Sequence, residues 1–147
     1  MSDQLAGFLE AVEKLPAYSG LVWRASTGEV TVSVPLGGPV PTTRDVRYAS
    51  ENFRAPVLQA IIACDGRDIA PLSADPAAGE VVLLPEGMLT PATAVHEVAG
   101  QRVQVLLEVR PGLPFGAAPD DAALAAAIEA ARAAGDVHIT APGRFGA

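Results

Sequence analysis

The sequence of 147 residues predicts a single α+β domain of short, mostly antiparallel strands with helices at the periphery. Three observations predict it. Half of the residues are apolar but only 5% are aromatic, so the chain is globular and Ala, Val and Leu must fill its core. Thirteen Pro and fourteen Gly cut the apolar runs short, which implies brief elements and many loops. The candidate strands follow one another with one short helix between them. They do not alternate with long helices, as a doubly wound parallel sheet would require.

The elements follow in order. Leu5, Phe8, Leu9, Val12 and Leu15 recur at a helical period, Ser2 or Asp3 can cap the start, and Pro16 stops the helix. The stretch GLVWR, 20 to 24, reads as a strand. EVTVSV, 29 to 34, alternates Val with polar residues and predicts a half-buried strand with Val30, Val32 and Val34 inward. PLGGPVP is a loop, and Asp45 can cap a short helix reaching Phe53, which faces the core with Val46 and Ala49. PVLQAIIAC reads as a buried strand that Asp65-Gly66 turns.

RDIAPLSADPAAG is irregular and long enough to cover something. EVVLL is the next strand, and PEG turns the chain. Residues 89 to 98 and 102 to 109 predict a hairpin about Ala99-Gly100-Gln101. Asp120 or Asp121 caps an Ala-rich helix that Gly135 ends, and VHIT, 137 to 140, reads as a last strand. No internal repeat is present. The Pro-rich segment 111 to 119 separates a body, 1 to 110, from a C-terminal appendage, 111 to 147. Leu124 and Ile128 give that appendage one apolar ridge, suited to packing on the body, covering a cleft or docking on a partner. Its last stretch, APGRFGA, has the composition of a linker.

Several function classes are disfavoured. The net charge is -7 with no basic cluster, so neither nucleic acid nor an anionic membrane is an expected partner. One cysteine, Cys64, allows neither an internal disulfide nor a cysteine-based zinc site, and it reads as a small buried hydrophobe. HEVAG at 96 to 100 lacks the second His of a zinc-protease motif, no metal is expected, and His96 reads as a residue on an exposed strand face. Neither a Gly-x-Ser-x-Gly elbow nor a Gly-rich phosphate loop occurs. The N-terminus carries acidic residues and no signal pattern, and the helix at 121 to 134 is too short to span a bilayer. The expectation is a cytoplasmic protein, with secretion as an effector by a route that needs no cleaved signal also compatible.

Three separated segments carry a resemblance. YSGLVWRAS places Arg24 at a strand end. PTTRDVRYASENF has paired hydroxyls at Thr42 and Thr43 before a short helix. GRDIAPLSADPAAGEVVLLPEG leads to Glu80 at the mouth of an apolar strand. In this order they resemble the mono-ADP-ribosyltransferase family of the Arg-Ser-Glu type, over most of residues 16 to 110, as a divergent member. The resemblance implies two roughly perpendicular, mostly antiparallel sheets with an NAD+ cleft between them and helices outside. It implies bacterial toxin-like glycosyl-transfer chemistry: cleavage of the nicotinamide-ribose bond and transfer of ADP-ribose to an unknown protein or small-molecule acceptor, or to water. NAD+ would be substrate, without a metal.

On this resemblance Glu80 is the catalytic carboxylate, at the 2′-hydroxyl of the nicotinamide ribose. Arg24 holds the pyrophosphate or a ribose, as its planar, permanently charged fork suits. Thr42 and Thr43 bond the ribose, orient Glu80 or cap the following helix. Tyr18 can border the cleft, whereas alternation along LVWR sends Trp23 away from Arg24 and into the core. Pro41 stands where the family has the first Ser of its triplet, and Ala78 where it has the first Glu or Gln of its Glu-x-Glu pair. Ala78 cannot act as a base. The sequence therefore also admits a catalytically degenerate domain that keeps the fold for binding, or a structural or immunity-type partner protein unconnected with NAD+.

Overall fold

The structure is a computed structural model and describes residues 3–146. Helix α1 (Asp3–Glu13) leads into strand β1 (Ala17–Ser26), then β2 (Val34–Pro35), β3 (Val40–Thr43), helix α2 (Val46–Ala49) and the long strand β4 (Val57–Asp68). Two 3₁₀ turns, Ala70–Leu72 and Pro76–Ala78, precede β5 (Glu80–Leu83). Strands β6 (Met88–Pro91), β7 (His96–Val98) and β8 (Gln101–Val109) follow, and helix α3 (Asp121–Ala134) comes last. Among the described residues no helix is long and apolar enough to cross a membrane.

The strands are hydrogen-bonded in the order β1-β3-β5-β4-β8-β6-β2, with β7 on β8 and an additional β1–β4 pairing. Among the described residues the strand pairing β4–β8 and an isolated bridge, Ala25–Gly146, are parallel; the other strand pairings are antiparallel, as the predicted class requires. Because β1 pairs with both β3 and β4, the strands β1, β3, β5 and β4 close on themselves, and the rest extend from β4. Strand β4 achieves this by changing partners along its length. Residues 58–62 pair with β8, whereas Gly66 to Asp68 pair with β5. Only glycine fits at 66, since a Cβ there would meet Val81 Cγ1 at 2.6 Å. Asp65-Gly66 is therefore a change of partner inside a strand, not the predicted turn.

Alternation splits the core into two faces. Trp23, Leu58, Ala60, Val103 and Val105 point to one face, which Val46 and Ala49 of α2 and Leu124 and Ile128 of α3 cover. Val22, Ile61, Ala63, Val81, Leu83 and Leu106 fill the other. A third, small cluster joins Val12 of α1 to Ile69, Val82 and Leu84.

Four expectations from the sequence are corrected. In α1 only Val12 is buried, and Phe8 of the apolar stripe is 40% exposed. Asp3 is already helical, and the alternative cap Ser2 lies outside the described residues. The predicted strand at 29 to 34 is reduced to Val34–Pro35, with Val32 68% exposed. The Gln104 side chain accepts from the Val30 amide (2.9 Å) and donates to its carbonyl (2.7 Å), replacing the ladder a strand would have used. The α2 helix starts on its Asp45 cap but ends at Ala49 instead of reaching Phe53. There the Ser50 hydroxyl takes the Phe53 amide at 2.8 Å, and residues 51 to 53 turn through positive φ. Residues 137 to 140 form no strand; the Val137 amide and carbonyl are bonded instead by the Asn52 side chain.

PLGGPVP, predicted as a loop, is one only from Leu36 to Pro39, because Pro35 ends β2 and Val40 and Pro41 pair with Leu83 and Val82 of β5; the cap and turn signals that follow read as expected. Asp120 caps α3 by accepting from the Ala123 amide at 2.8 Å, and Gly135 ends the helix at φ 84°. Ala99 and Gly100, at φ 49° and 79°, turn β7 into β8.

Candidate functional site

The 3₁₀ turn at Pro76–Ala78 ends on Gly79, whose left-handed φ of 60° aims the chain into β5. The Gly79 carbonyl accepts from the Arg44 amide at 3.0 Å, and the Glu80 carbonyl from the Ile69 amide at 3.2 Å. Glu80 is thus set at the first position of a strand by bonds on both sides. Register places it opposite Thr43 on β3, and Thr43 opposite Trp23 on β1. These three side chains leave the sheet on one face.

Glu80 is only 2% exposed. Both of its carboxylate oxygens are taken by Arg144, through Nε to Oε1 and through Nη2 to Oε2 at 2.7 Å. A two-pronged guanidinium–carboxylate pair is among the stronger side-chain contacts a protein makes, and the bond to Glu80 raises the Arg144 pKa above its usual value.

Thr43 adjoins Glu80. Its fully buried hydroxyl donates to the Ala78 carbonyl and accepts from the Asp45 amide at 3.0 Å. One oxygen therefore pins the turn that delivers Glu80 and the cap residue that opens α2. Thr42 leaves the opposite face with Val81, is fully buried, and donates to the Val81 carbonyl at 2.6 Å. The structure brings Thr43 to Glu80 and does not bring Thr42 there.

Arg24 follows Trp23, so alternation sends its Cβ to the other face from Glu80, and its long side chain carries the guanidinium to Gly146, two residues from the Arg144 that holds Glu80. Its half-buried guanidinium donates to the Pro41 carbonyl at 2.9 Å and the Gly146 carbonyl at 3.0 Å. Among the described residues no carboxylate neutralises it, and burial lowers its pKa. Pro41, which has no hydroxyl, contributes its carbonyl to this bond. Trp23 is 1% exposed, in the core as predicted. Tyr18 donates to the Leu21 carbonyl at 3.1 Å, and Arg44 lies 5.6 Å from its ring centroid.

Glu80 and Arg24 do not touch each other, yet both touch one short stretch. Arg144 holds Glu80, Gly146 accepts from Arg24, and Phe145 between them is 6% exposed in the cluster that contains Trp23. The Phe145 carbonyl also accepts from the Ala25 amide at 2.7 Å. Beside Glu80 a cavity of about 40 Å³ remains, bordered by Tyr48, Ser73, Asp75, Thr140 and Phe145, and far too small for a dinucleotide. Among the described residues no group of three His, Cys, Asp or Glu could hold a metal ion. Arg144 is the site residue that sequence reasoning missed. A lone Arg in a Gly- and Pro-rich stretch has no periodicity or spacing to mark it.

No family model and no curated protein matches the sequence. Solved structures do match. The ADP-ribosyltransferase HopU1 of Pseudomonas syringae pv. Tomato DC3000 superimposes with a TM-score of 0.56 at 18% identity, over 74% of this chain and 56% of that one. The ADP-ribosyltransferase Vis of Vibrio splendidus, in complex with M6 inhibitor, gives 0.51 at 18% identity, over 72% and 57%. Exoenzyme S of Pseudomonas aeruginosa, in complex with human 14-3-3 protein beta and bound to Carba-NAD, gives 0.52 at 14% identity, over 71% and 55%. The chain spans just over half the length of each of these proteins. The strand circuit, the helices on its outer face and these superpositions agree on one architecture: the chain has the ADP-ribosyltransferase fold.

Proposed function

We propose that this protein acts on NAD+, breaking the bond between nicotinamide and ribose and passing ADP-ribose to water or to a protein or small-molecule acceptor. The observation that carries the reading is Glu80: a carboxylate at the mouth of a strand, abreast of Thr43, and almost wholly removed from water. As the bond breaks, its electron pair leaves with nicotinamide and positive charge builds on the ribose. A nearby carboxylate that bonds a ring hydroxyl strengthens its hold as that charge grows. The acceptor oxygen or nitrogen then bonds to the anomeric carbon and loses a proton. Thr43 is the positioning residue, through Ala78.

Arg24 suits the phosphates, since it is a cation that no carboxylate neutralises among the described residues. Support for NAD+ comes from the Carba-NAD bound to exoenzyme S. Action inside the cell that makes it, or secretion as a toxin-like effector, is the corresponding expectation, and the Vis toxin shares the fold.

A second reading has its own observation. Pro41 and Ala78 replace a hydroxyl and a carboxylate of the family pattern, and Ala78 is 6% exposed in the core. A domain that binds without turnover would tolerate both. Calorimetric titration with NAD+, followed by nicotinamide release, separates the readings. The expected outcome is binding, with release that falls about a hundredfold or more in Glu80→Gln. Binding without release in the wild type assigns the degenerate domain, and no binding by any form of the protein ends the NAD+ reading.

A further inference from the structure

We infer that residues 137–146 form a strap that closes the Glu80 site from within, Arg144 occupying the carboxylate and Gly146 the Arg24 guanidinium, so that ligand enters only when the strap lifts. The inference rests on Glu80 being the working carboxylate. Its basis is a coincidence in space that the chain order does not require. The two charged groups singled out for the site lie 56 positions apart in sequence, at 24 and 80, and residues 144 and 146 engage one each.

The strap is built to detach. It holds no strand or helix from 137 to 145, its main-chain ties to β1 are confined to Ala25, at the Phe145 carbonyl and the Gly146 bridge, and its other tethers are side-chain contacts. Asn52 holds Val137, Asp75 accepts from the Thr140 hydroxyl at 3.3 Å, and Glu51 accepts from the Gly143 amide at 2.6 Å. Among the described residues its deep anchor is Phe145, 6% exposed. The Arg144 side chain is 49% exposed although the carboxylate it grips is 2% exposed, so water reaches the cation's side of the pair. Lifting the strap would open Glu80 and free Arg24 in one movement, without disturbing the β1–β4 ladder. If the strap is closed most of the time, apparent ligand affinity is reduced by the open fraction.

The test reads Glu80 without any ligand. Carbodiimide coupling of glycine ethyl ester, mapped by peptide mass, should leave Glu80 protected in the wild type. Coupling at Glu80 should become at least about tenfold faster in Arg144→Ala and in Phe145→Ser. Glu108, which is fully buried, should stay unlabelled throughout as the control for an intact fold. Equal labelling of Glu80 in wild type and folded variants overturns the strap.

Hydrogen exchange on the wild type covers the case in which both variants unfold. The Ala25 amide, bonded to Phe145, should exchange at least about tenfold faster than the β4 amides of residues 58–62. Exchange at the same rate as β4 shows a strap that opens only with the whole protein, and overturns the inference.

Titration with NAD+ then separates the two readings. Binding about tenfold tighter in Arg144→Ala supports both. Equal binding by wild type and variant overturns the strap. Deprotection of Glu80 with no NAD+ binding in any form ends the NAD+ reading while the strap stands.

Discussion

Two buried carboxylates, Glu80 and Glu108, are 2% and 0% exposed, and each is held by an arginine. They differ in where the arginine comes from. Arg110 follows Glu108 by two residues, is itself 11% exposed, and donates through Nε at 2.7 Å. Its other nitrogens reach the Leu84 carbonyl and, at 2.9 Å, the Pro85 carbonyl. The second function of Glu108 is to accept the amides of Cys64 and Asp65, at 2.7 and 3.0 Å, where β4 leaves β8 for β5. Apart from the bond that joins the two side chains, the cluster's hydrogen bonds go to the backbone. Glu80 has no such duties. Among the described residues its side chain bonds only to Arg144, 64 residues away on a segment without regular structure. A buried carboxylate tied into the main chain is a structural part, whereas one held by a single half-exposed cation can exchange that cation for something else.

The largest expected effect breaks the fixed member of the comparison. Glu108→Ala leaves two amides without an acceptor and the Arg110 charge without its counter-ion in the interior, and should cost about 3–5 kcal/mol in urea unfolding. Glu80→Ala frees a cation that can turn to water, and should cost less than half as much. Equal losses would show that Arg144 is as firmly built in as Arg110.

A smaller effect sharpens the Glu108 side. Burial first, and then the Glu108 charge and hydrogen bond, push the Cys64 thiol up to about 11. At pH 8 its alkylation by iodoacetamide should be about a hundredfold slower than in the urea-unfolded chain, where the pKa is about 8.5. Fast alkylation of the native protein would mean that the buried carboxylate does not control this part of β4.

The smallest effect concerns the helix that covers the Trp23 face. His96 Nε2 meets Asp121 Oδ1 at 2.8 Å, joining β7 to the first turn of α3. The Ala94 carbonyl, and then Asp121, raise the His96 pKa in the folded state. Its contribution to stability is therefore full below the unfolded value of about 6.5 and is lost as pH rises through the higher folded value. Thermal unfolding of the wild type and His96→Gln should differ most near pH 5 and converge by pH 9. A constant difference across that range would remove the ion pair from the account.

Much of this architecture was legible in the sequence because it is encoded locally. Asp45 and Asp120 announce their helices through a side chain two or three residues from the amide it caps, and Gly135 ends α3 where it stands. Trp23 could be assigned to the core from the alternation of LVWR alone. The failures are non-local. Val30, Val32 and Val34 have a strand's alternation, but the Gln104 side chain, 74 residues away, takes the Val30 backbone in place of a neighbouring strand. Asp65-Gly66 has the composition of a turn, yet Glu108 and the pairing of Gly66 with Leu83 of β5 hold it extended. Thr42 and Thr43 are indistinguishable as neighbours, and only the pairing with β5 puts one beside Glu80 and turns the other away.

By itself, then, the sequence determined the α+β class, the helix boundaries set by caps, and a carboxylate standing at the entrance to an apolar strand. Propensity and period act over a few residues and can be read there. Only the tertiary structure decided what meets that carboxylate. An ion pair between residues 80 and 144 depends on how the intervening strands are ordered and on where the chain returns after α3, and neither leaves a local trace.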